Sequence, residues 1–454
     1  MKTISRVLVA NRGEIAVRII RACRRAGVEA VVAVSEADRE SMAARIADRA
    51  VCIGAPPSVR SYLDINTLIS AALGTGADAI HPGYGFLAEQ PRLPDACTQN
   101  GLIFIGPTAE NIRQMGDKLM ARKVAQESGV PTTPGSVLVS DLKEALGAAQ
   151  EVGYPLLLKA AAGGGGRGIK IVTNETEMSN AFETASAEAR QAFGDDRVYI
   201  EKFIPNARHI EVQIIGDRYG NVIHLGERDC SLQRRHQKLL EETPCPVIDA
   251  KLRAEICNAA VAVARHIQYE NVGTVEFLFD QDTRSIYFLE MNTRIQVEHP
   301  ITEMVTGVDL VKEGISIAGG SPLSLRQEDI KPVGHAMECR INAEVPEEGF
   351  RASPGRIERW IQPRCQGIRV DSHCYPGYFV PPYYDSLIAK LITHGSDRDQ
   401  AMMLMRYALA NFSVSGIGTT IPFFKTLLET PDFIKSKINT KWVERVFNYN
   451  GEGS

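Results

Sequence analysis

Gly273-Thr-Val-Glu276-Phe-Leu-Phe-Asp280 and Ser285-Ile-Tyr-Phe-Leu-Glu290-Met-Asn292 read as two strands around a short polar turn, 281–284. With Asp280 opposite Ile286, Leu278 faces Phe288 and Glu276 faces Glu290. Directly opposed residues of an antiparallel pair hold their Cβ atoms roughly 4.5–5.5 Å apart. Like charges that close repel unless a cation lies between them. The second run continues through Asn292, Arg294, Gln296 and Glu298, all at the parity of Glu290, so an extended chain projects them from one face. An acidic pair beside an amide suits Mg²⁺, which takes oxygen ligands and usually keeps a nucleotide phosphate as partner. The plainer alternative is a solvated sheet face. Opposed acids with no lysine across the pair make a poor solvated face, and the metal-binding reading is preferred.

Upstream, 5–110 alternates strand-like and helix-like stretches: strands at 6–10, 29–35, 50–53 and 77–81, helices at 14–26, 41–47 and 63–73, separated by Gly/Pro turns. That βαβ rhythm implies a parallel sheet covered by helices. A helical stretch at 109–128 leads away. A smaller unit follows, with a helix at 142–152, strands at 155–160 and 169–172, and a helix at 175–193. By texture, 198–203 opens a third region of strands (209–215, 222–228, 274–279, 285–291) and helices (252–267, 308–318), followed by a mixed tail.

Composition sets bounds on partners and compartment. The chain has 454 residues, 44% hydrophobic and 23% charged, with a net charge of −4, ordinary for a multidomain globular protein. That charge gives no general reason to expect nucleic acid or an anionic membrane as partner. The apolar run at 7–10 is too short for a signal segment, and no 18 consecutive residues are apolar. Nine scattered cysteines without a C-x-x-C read as reduced packing thiols, so a cytoplasmic location is expected.

The apolar strand ending at Lys159 runs into Gly163-Gly164-Gly165-Gly166-Arg167-Gly168. Consecutive glycines let backbone N–H groups converge on phosphate oxygens, and Lys159 and Arg167 add charge. The plain alternative is a flexible hinge, but four glycines between two strands weaken the pair unless something needs the space. No G-K-[ST] follows, so this is not a Walker A loop. The first strand lacks G-x-G-x-x-G, which leaves a dinucleotide site weakly supported.

Glu290-Met-Asn-Thr-Arg-Ile-Gln-Val-Glu-His299 resembles the biotin carboxylase signature within the ATP-grasp superfamily. Six further blocks resemble it in family order: Ala10–Arg18 (ANRGEIAVR), His81–Leu87 (HPGYGFL), Met115-Gly-Asp-Lys118, Lys159–Gly168, Glu227–Lys238 (ERDCSLQRRHQK) and Tyr383-Tyr-Asp-Ser386. The resemblance runs from about 5 to 445. It implies an α/β and α+β multidomain fold: a Rossmann-like pre-ATP-grasp domain (1–115), a helical linker (116–130), an ATP-grasp lid (131–203), an ATP-grasp core (204–330) and a C-terminal domain (331–454).

It also implies ATP, bicarbonate and carrier-bound biotin as substrates, with two Mg²⁺ or Mn²⁺ ions on Glu276, Glu290 and Asn292. Lys118, Lys159 and Gly164, Gly165 and Gly166 would meet ATP phosphates. Glu201, Lys202, Ile204 and Leu278 would surround the adenine, and His209, Gln233 and His236 would line the nucleotide pocket. Arg294, Gln296 and Val297 would bind bicarbonate and Glu298 would deprotonate it, with Lys238 also catalytic. Arg340 and Tyr84 would meet biotin. By themselves Lys118 reads as a surface lysine, His209 as a satisfied histidine, His236 as part of a basic run on a solvated face or an anion patch, and Arg340 as a partner of Glu338 or another core acid. The resemblance tips each toward function.

Departures from the family pattern are mild. In 86–93 the usual Ser-Glu-Asn is replaced, and Pro91 and Pro94 should reshape the helix start there. Lys170 stands where arginine is common. No Met-Lys-Met biotinylation motif occurs, so the resemblance implies a free-standing subunit served by a biotin carboxyl carrier protein and a carboxyltransferase, commonly as a homodimer. Acetyl-CoA is the expected final acceptor, with pyruvate, another 2-oxo acid or propionyl-CoA as alternatives. Two competitors remain: another ATP-grasp ligase, which would not require Arg294–Glu298 with Arg340, and a non-catalytic nucleotide-binding regulator, which would have lost Glu276, Glu290 or Glu298.

Overall fold

The computed structural model describes residues 4–135, 137–160, 169–193 and 196–447. Near the N-terminus, a five-stranded parallel sheet is ordered Arg49–Cys52, Glu29–Val34, Arg6–Val9, Ala79–His81, Ile103–Phe104. Its central strands are apolar on both faces because helices cover both. Gly13–Arg25 packs on one side and Ile65–Thr75 on the other, which gives two separate clusters of buried residues. The βαβ expectation holds to within two residues at each boundary.

The helical stretch at 109–128 is two helices, Ala109–Gly116 and Lys118–Glu127. Asp117 breaks it in extended conformation and caps the second helix by accepting from the Met120 N–H, a job for which a short acidic side chain is suited. The helix expected to be reshaped near 91 begins at Arg92, with Pro91 at the N-cap position and Pro94 in the first turn, where a missing N–H costs little.

A four-stranded antiparallel sheet is ordered Val137–Val139, Val198–Lys202, Leu156–Ala160, Ile169–Val172, with Leu142–Val152 and Glu175–Phe193 against it. Val198–Lys202 therefore does not open the third region, as its position after a long helix suggested. It returns to fill the gap between two strands of this sheet.

The largest sheet has eight antiparallel strands: Ile286–Asn292, Asn271–Asp280, Ala207–Gly216, Val222–Arg234, Gln237–Thr243, His335–Asn342, Leu387–Gly395, Ile368–Ser372. It runs without a break through the boundary expected at 330, because Leu240–Thr243 pairs with Ala336–Cys339. Ala250–His266 covers one end of this sheet and Arg398–Asn411 the other, each over an apolar core. All nine cysteines are free, and only Cys52 and Cys365 are exposed.

The deciding hairpin forms with one correction. Glu276 does pair with Glu290, but Phe279 rather than Asp280 faces Ile286, and Leu278 faces Tyr287 rather than Phe288. The turn is offset by one residue, and a bulge at Leu289 restores the expected parity just before Glu290. Such an extra residue re-aims the side chains that follow it. The strand also ends at Asn292. Residues 293–298 bend and lead into the helix His299–Thr306, so the polar series reaches one site through a turned loop and not through an extended face.

Candidate active site

One cleft of about 940 Å³ is lined by every expected site residue that the structure describes: Tyr84, Lys118, Lys159, Glu201, Lys202, Ile204, His209, Gln233, His236, Lys238, Glu276, Leu278, Glu290, Asn292, Arg294, Gln296, Val297, Glu298 and Arg340. Gly164, Gly165 and Gly166 lie outside the described residues.

Three neighbouring strands carry acids at one level. Glu211 on Ala207–Gly216 is the register partner of Glu276, which in turn partners Glu290. Glu211 and Glu276 are buried, whereas Glu290 is open to the cleft. Among the described residues no hydrogen bond or ion pair engages the Glu290 carboxylate. Its partial desolvation and the charge of Glu276 raise its pKa, against the pull of Lys118. The Asn292 amide nitrogen is buried and, among the described residues, also unpartnered, while its oxygen accepts from Arg294 at 2.8 Å. Two opposed carboxylates and an amide oxygen, short of cations on the Glu290 side, fit a hard divalent ion. Two tighter groupings are also present: His209, Glu211 and Glu276, and Glu211, Cys230 and Glu298. Both are already compensated by Lys238 and Arg228, so they are weaker candidates.

Lys238 is the hub. Its ammonium donates to Glu276 at 2.9 Å, Glu298 at 2.7 Å, Gln296 at 3.2 Å, and also to Glu211. Arg228 closes the network from below, donating to Glu211 at 2.5 Å and Gln213 at 2.7 Å. His209 lies 3.0 Å from Glu276. Burial alone would raise the pKa of Glu276, but Lys238 and His209 outweigh it and hold that carboxyl well below its usual range.

Glu298 is 1% exposed and sits at the start of the helix His299–Thr306. Burial pushes its pKa up, and Lys238, Arg340 and Arg228 together push it further down, so the group stays anionic. Arg340 grips it at 2.9 Å through Nη2, while its Nε donates to Glu241 at 2.6 Å. Arg340 therefore pairs not with Glu338 but with another core acid, Glu241, as the plain alternative also allowed, while Glu298 holds it from the cleft. Among the described residues the Glu338 carboxylate has no hydrogen-bond partner at either oxygen.

At the other end of the cleft, Lys159 donates to Glu201, whose second oxygen accepts from Arg122 at 2.7 Å. Arg122 also holds Thr133 through its hydroxyl and carbonyl, 2.9 and 2.6 Å away. Lys202 turns its ammonium onto the Gly153 and Tyr154 carbonyls at 3.0 and 2.9 Å. Desolvation lowers the pKa of Lys118, partly offset by Glu290. The N-terminal domain supplies the third wall, where Tyr84 donates to Glu14, which pairs with the buried Lys390 at 3.1 Å. Lys390 reaches back into the site by donating to the Val297 carbonyl at 2.9 Å.

Residues not singled out from the sequence include Glu211, Arg228, Arg122, Glu89 and Glu241. Glu89 accepts from the Thr293 N–H at 3.2 Å and from Arg294 at 2.8 Å, and so steadies the loop that carries the polar series. Glu211 left a readable signal: His209, Glu211 and Gln213 share one parity of a strand that is buried throughout. Polar side chains in that setting need partners.

Known proteins share this sequence and fold. The chain matches "Biotin carboxylase, N-terminal domain" over residues 3–112, "Carbamoyl-phosphate synthase L chain, ATP binding domain" over 117–326 and "Biotin carboxylase C-terminal domain" over 338–445. It is 52% identical over 442 residues to biotin carboxylase 1 of Bacillus subtilis, covering 97% of this chain and 98% of that one. It is 50% identical over 441 residues to a pyruvate carboxylase subunit of Methanothermobacter thermautotrophicus, covering 97% and 89%. The biotin carboxylase domain dimer of Hydrogenobacter thermophilus 2-oxoglutarate carboxylase, solved with MgADP, ADP and bicarbonate, superposes with a TM-score of 0.94 at 47% identity, covering 100% of both chains. With the fold, the three family matches and half-identical relatives along nearly its whole length in agreement, this chain belongs to the biotin carboxylase family of ATP-dependent ligases.

Proposed function

We propose that this chain carboxylates biotin on a carrier protein at the expense of ATP and bicarbonate, the first half-reaction of a biotin-dependent carboxylase. The observation that carries this reading is the juxtaposition, in one cleft, of the opposed Glu276 and Glu290 with the chain Lys238–Glu298–Arg340. ATP lies with its adenine beside Glu201, Lys202, Ile204 and Leu278 and its phosphates toward Lys118, Lys159 and the glycine run. His209, Gln233 and His236 line the same pocket. Glu276, Glu290 and Asn292 would hold two Mg²⁺ or Mn²⁺ ions, whose charge would neutralise the phosphate oxygens.

Bicarbonate sits against Arg294, Gln296 and Val297, with Lys238 turning toward it. Glu298 takes its proton, and the carbonate oxygen attacks the γ-phosphorus, releasing ADP and leaving carboxyphosphate. That intermediate breaks to CO₂ and phosphate, the phosphate takes the N1 proton of biotin, and N1 attacks CO₂. Arg340 stabilises the negative charge on the ureido oxygen, with Tyr84 beside the ring. Because these cations are already fixed by buried carboxylates, they need little reorganisation as charge develops.

The test is ADP release with bicarbonate, with and without free biotin. Biotin-stimulated turnover that is lost in Arg340→Ala is expected. Equal turnover without biotin would point instead to an ATP-grasp ligase acting on another acceptor. For the second half-reaction our reading is acetyl-CoA, with a separate carrier and carboxyltransferase, a homodimer and a cytoplasmic setting. Relatives named for pyruvate and 2-oxoglutarate carboxylases match almost as well, which argues that the acceptor is chosen by the carboxyltransferase. Co-purification of the carboxyltransferase tests that choice.

A further inference from the structure

Glu241 and Glu338 are register partners on the adjacent strands Gln237–Thr243 and His335–Asn342. Their side chains project to the same face, with Cβ atoms roughly 4.5–5.5 Å apart. Both residues are 0% exposed. Among the described residues only one of their four carboxyl oxygens has a hydrogen-bond partner: Glu241 Oε1 accepts from Arg340 Nε at 2.6 Å, while Glu241 Oε2 and both oxygens of Glu338 accept nothing. Two dry carboxyls side by side hold a proton more readily than a second charge.

Arg340 thus has two anchors, Glu241 at Nε and Glu298 at Nη2. Glu298 is the group that gains the bicarbonate proton in the reaction above. When it does, Nη2 loses a charged acceptor just before Arg340 must face the ureido oxygen. Nothing covalent changes at Glu241, and its bond to Nε survives the transfer. We propose that Glu241 is a positioning residue that keeps Arg340 aimed into the cleft while Glu298 is protonated, and that the buried Glu338 stays uncharged so that Glu241 can carry the single negative charge. This rests on the carboxylation reading.

The surroundings agree. Facing Glu241 are Arg340, Lys238, Glu298 and Glu338, together with the Cys230 and Cys339 thiols, which burial keeps protonated. Behind Glu338 lies Lys390 on the next strand, and the packed helix presents His299, which burial keeps neutral. Burial raises the pKa of Glu241 to about 7 against the pull of Arg340, and burial raises that of Glu338 well above the usual range. Because the anchoring form of Glu241 is the deprotonated one, biotin stimulation should fall as pH drops through about 7.

The experiment measures ADP release by the full chain across that range, as the ratio of rates with and without free biotin, so that groups serving ATP alone cancel. Glu241→Gln is expected to lower the biotin-stimulated kcat at least about tenfold, the lower end for loss of a charged hydrogen-bond partner, and to abolish the inflection. Glu338→Gln, neutral as the acid is, is expected to keep the inflection. A Glu241→Gln enzyme that stays within about twofold of wild type, or that keeps the inflection, overturns the proposal. If that variant does not fold, the wild-type profile decides: no inflection near neutral pH overturns it as well. A wild-type enzyme that biotin does not stimulate sinks the carboxylation reading and this inference together, whereas intact stimulation insensitive to Glu241→Gln sinks this inference alone.

Discussion

Replacing Glu298 with glutamine removes one proton acceptor and little else, since the side chain keeps its volume and an oxygen to face Lys238 and Arg340. Loss of a positioned general base costs about 10²–10⁴ in rate, or about 2.7–5.4 kcal/mol on the barrier. The structure favours the low end. Glu298 is held by Lys238 at 2.7 Å and Arg340 at 2.9 Å with almost no solvent, and a carboxylate kept below its usual range by two cations is a weak base until one of them turns to the substrate. We therefore expect kcat for bicarbonate-dependent ADP release to fall about 10²-fold in Glu298→Gln, with the KM for ATP little changed. The pH sign follows from the same geometry. Because the folded pKa is depressed, Glu298 remains ionised throughout the working range, so it contributes no loss of activity as pH falls from neutrality toward the ordinary carboxylate range. A Glu298→Gln enzyme within about fivefold of wild type at saturating bicarbonate, assayed by coupled ADP detection, would remove the general-base assignment.

Three further outcomes are expected. Glu290→Gln should raise the Mg²⁺ concentration for half-maximal ADP release at least about tenfold, with recovery at high Mg²⁺, because the open acid loses its charge while Glu276 stays occupied by Lys238; a Mg²⁺ titration unchanged from wild type would refute this. Arg122→Met should destabilise by about 2–3 kcal/mol, below the full cost of orphaning a buried acid because Glu201 keeps Lys159, read as a lowered urea midpoint that bound ATP partly restores. Glu242 is buried, yet hydrogen bonds from His335 at 2.8 Å and Arg398 at 2.7 Å outweigh the burial and lower its pKa to about 2. A depressed acid stabilises fully above its unfolded pKa and loses that contribution as pH falls through the folded one. Glu242→Gln should therefore cost about 3 kcal/mol at neutral pH and much less near pH 2, measured by urea unfolding at both.

Much of this site could be read from the sequence because its chemistry is written in local order. The residues from Glu290 to Glu298 are contiguous, and a short hairpin fixes which acid faces which. Even so, the pairing of Glu276 with Glu290 survived two compensating departures, a shifted turn and a bulge at Leu289. Neither leaves a local mark, because Leu289 simply continues the apolar run Ile286-Tyr-Phe-Leu289. Contacts made by distant strands were harder to read. Nothing near Leu240 announces that it will lie beside Cys339 a hundred residues later, and that pairing joins what looked like two domains into one sheet and sets Glu241 against Glu338.

Lys238 and Arg228 illustrate the same limit electrostatically. Within Glu-Arg-Asp-Cys and Arg-Arg-His-Gln-Lys they look like members of solvated charge runs, yet Arg228 is fully buried and Lys238 nearly so. A charge run exposes alternate residues only if its strand is at an edge or has one wet face. The two lie on neighbouring strands, Val222–Arg234 and Gln237–Thr243, in the middle of an eight-stranded sheet, with a helix on one side and the cleft on the other. Their cations are therefore buried against Glu211, Glu276 and Glu298, which offsets the free energy that would otherwise oppose burying three acids, and Lys238 is also the group proposed to turn toward bicarbonate. Removing Lys238 should thus damage stability and bicarbonate binding together, and a Lys238→Met variant that lost only one of the two would break the link between them.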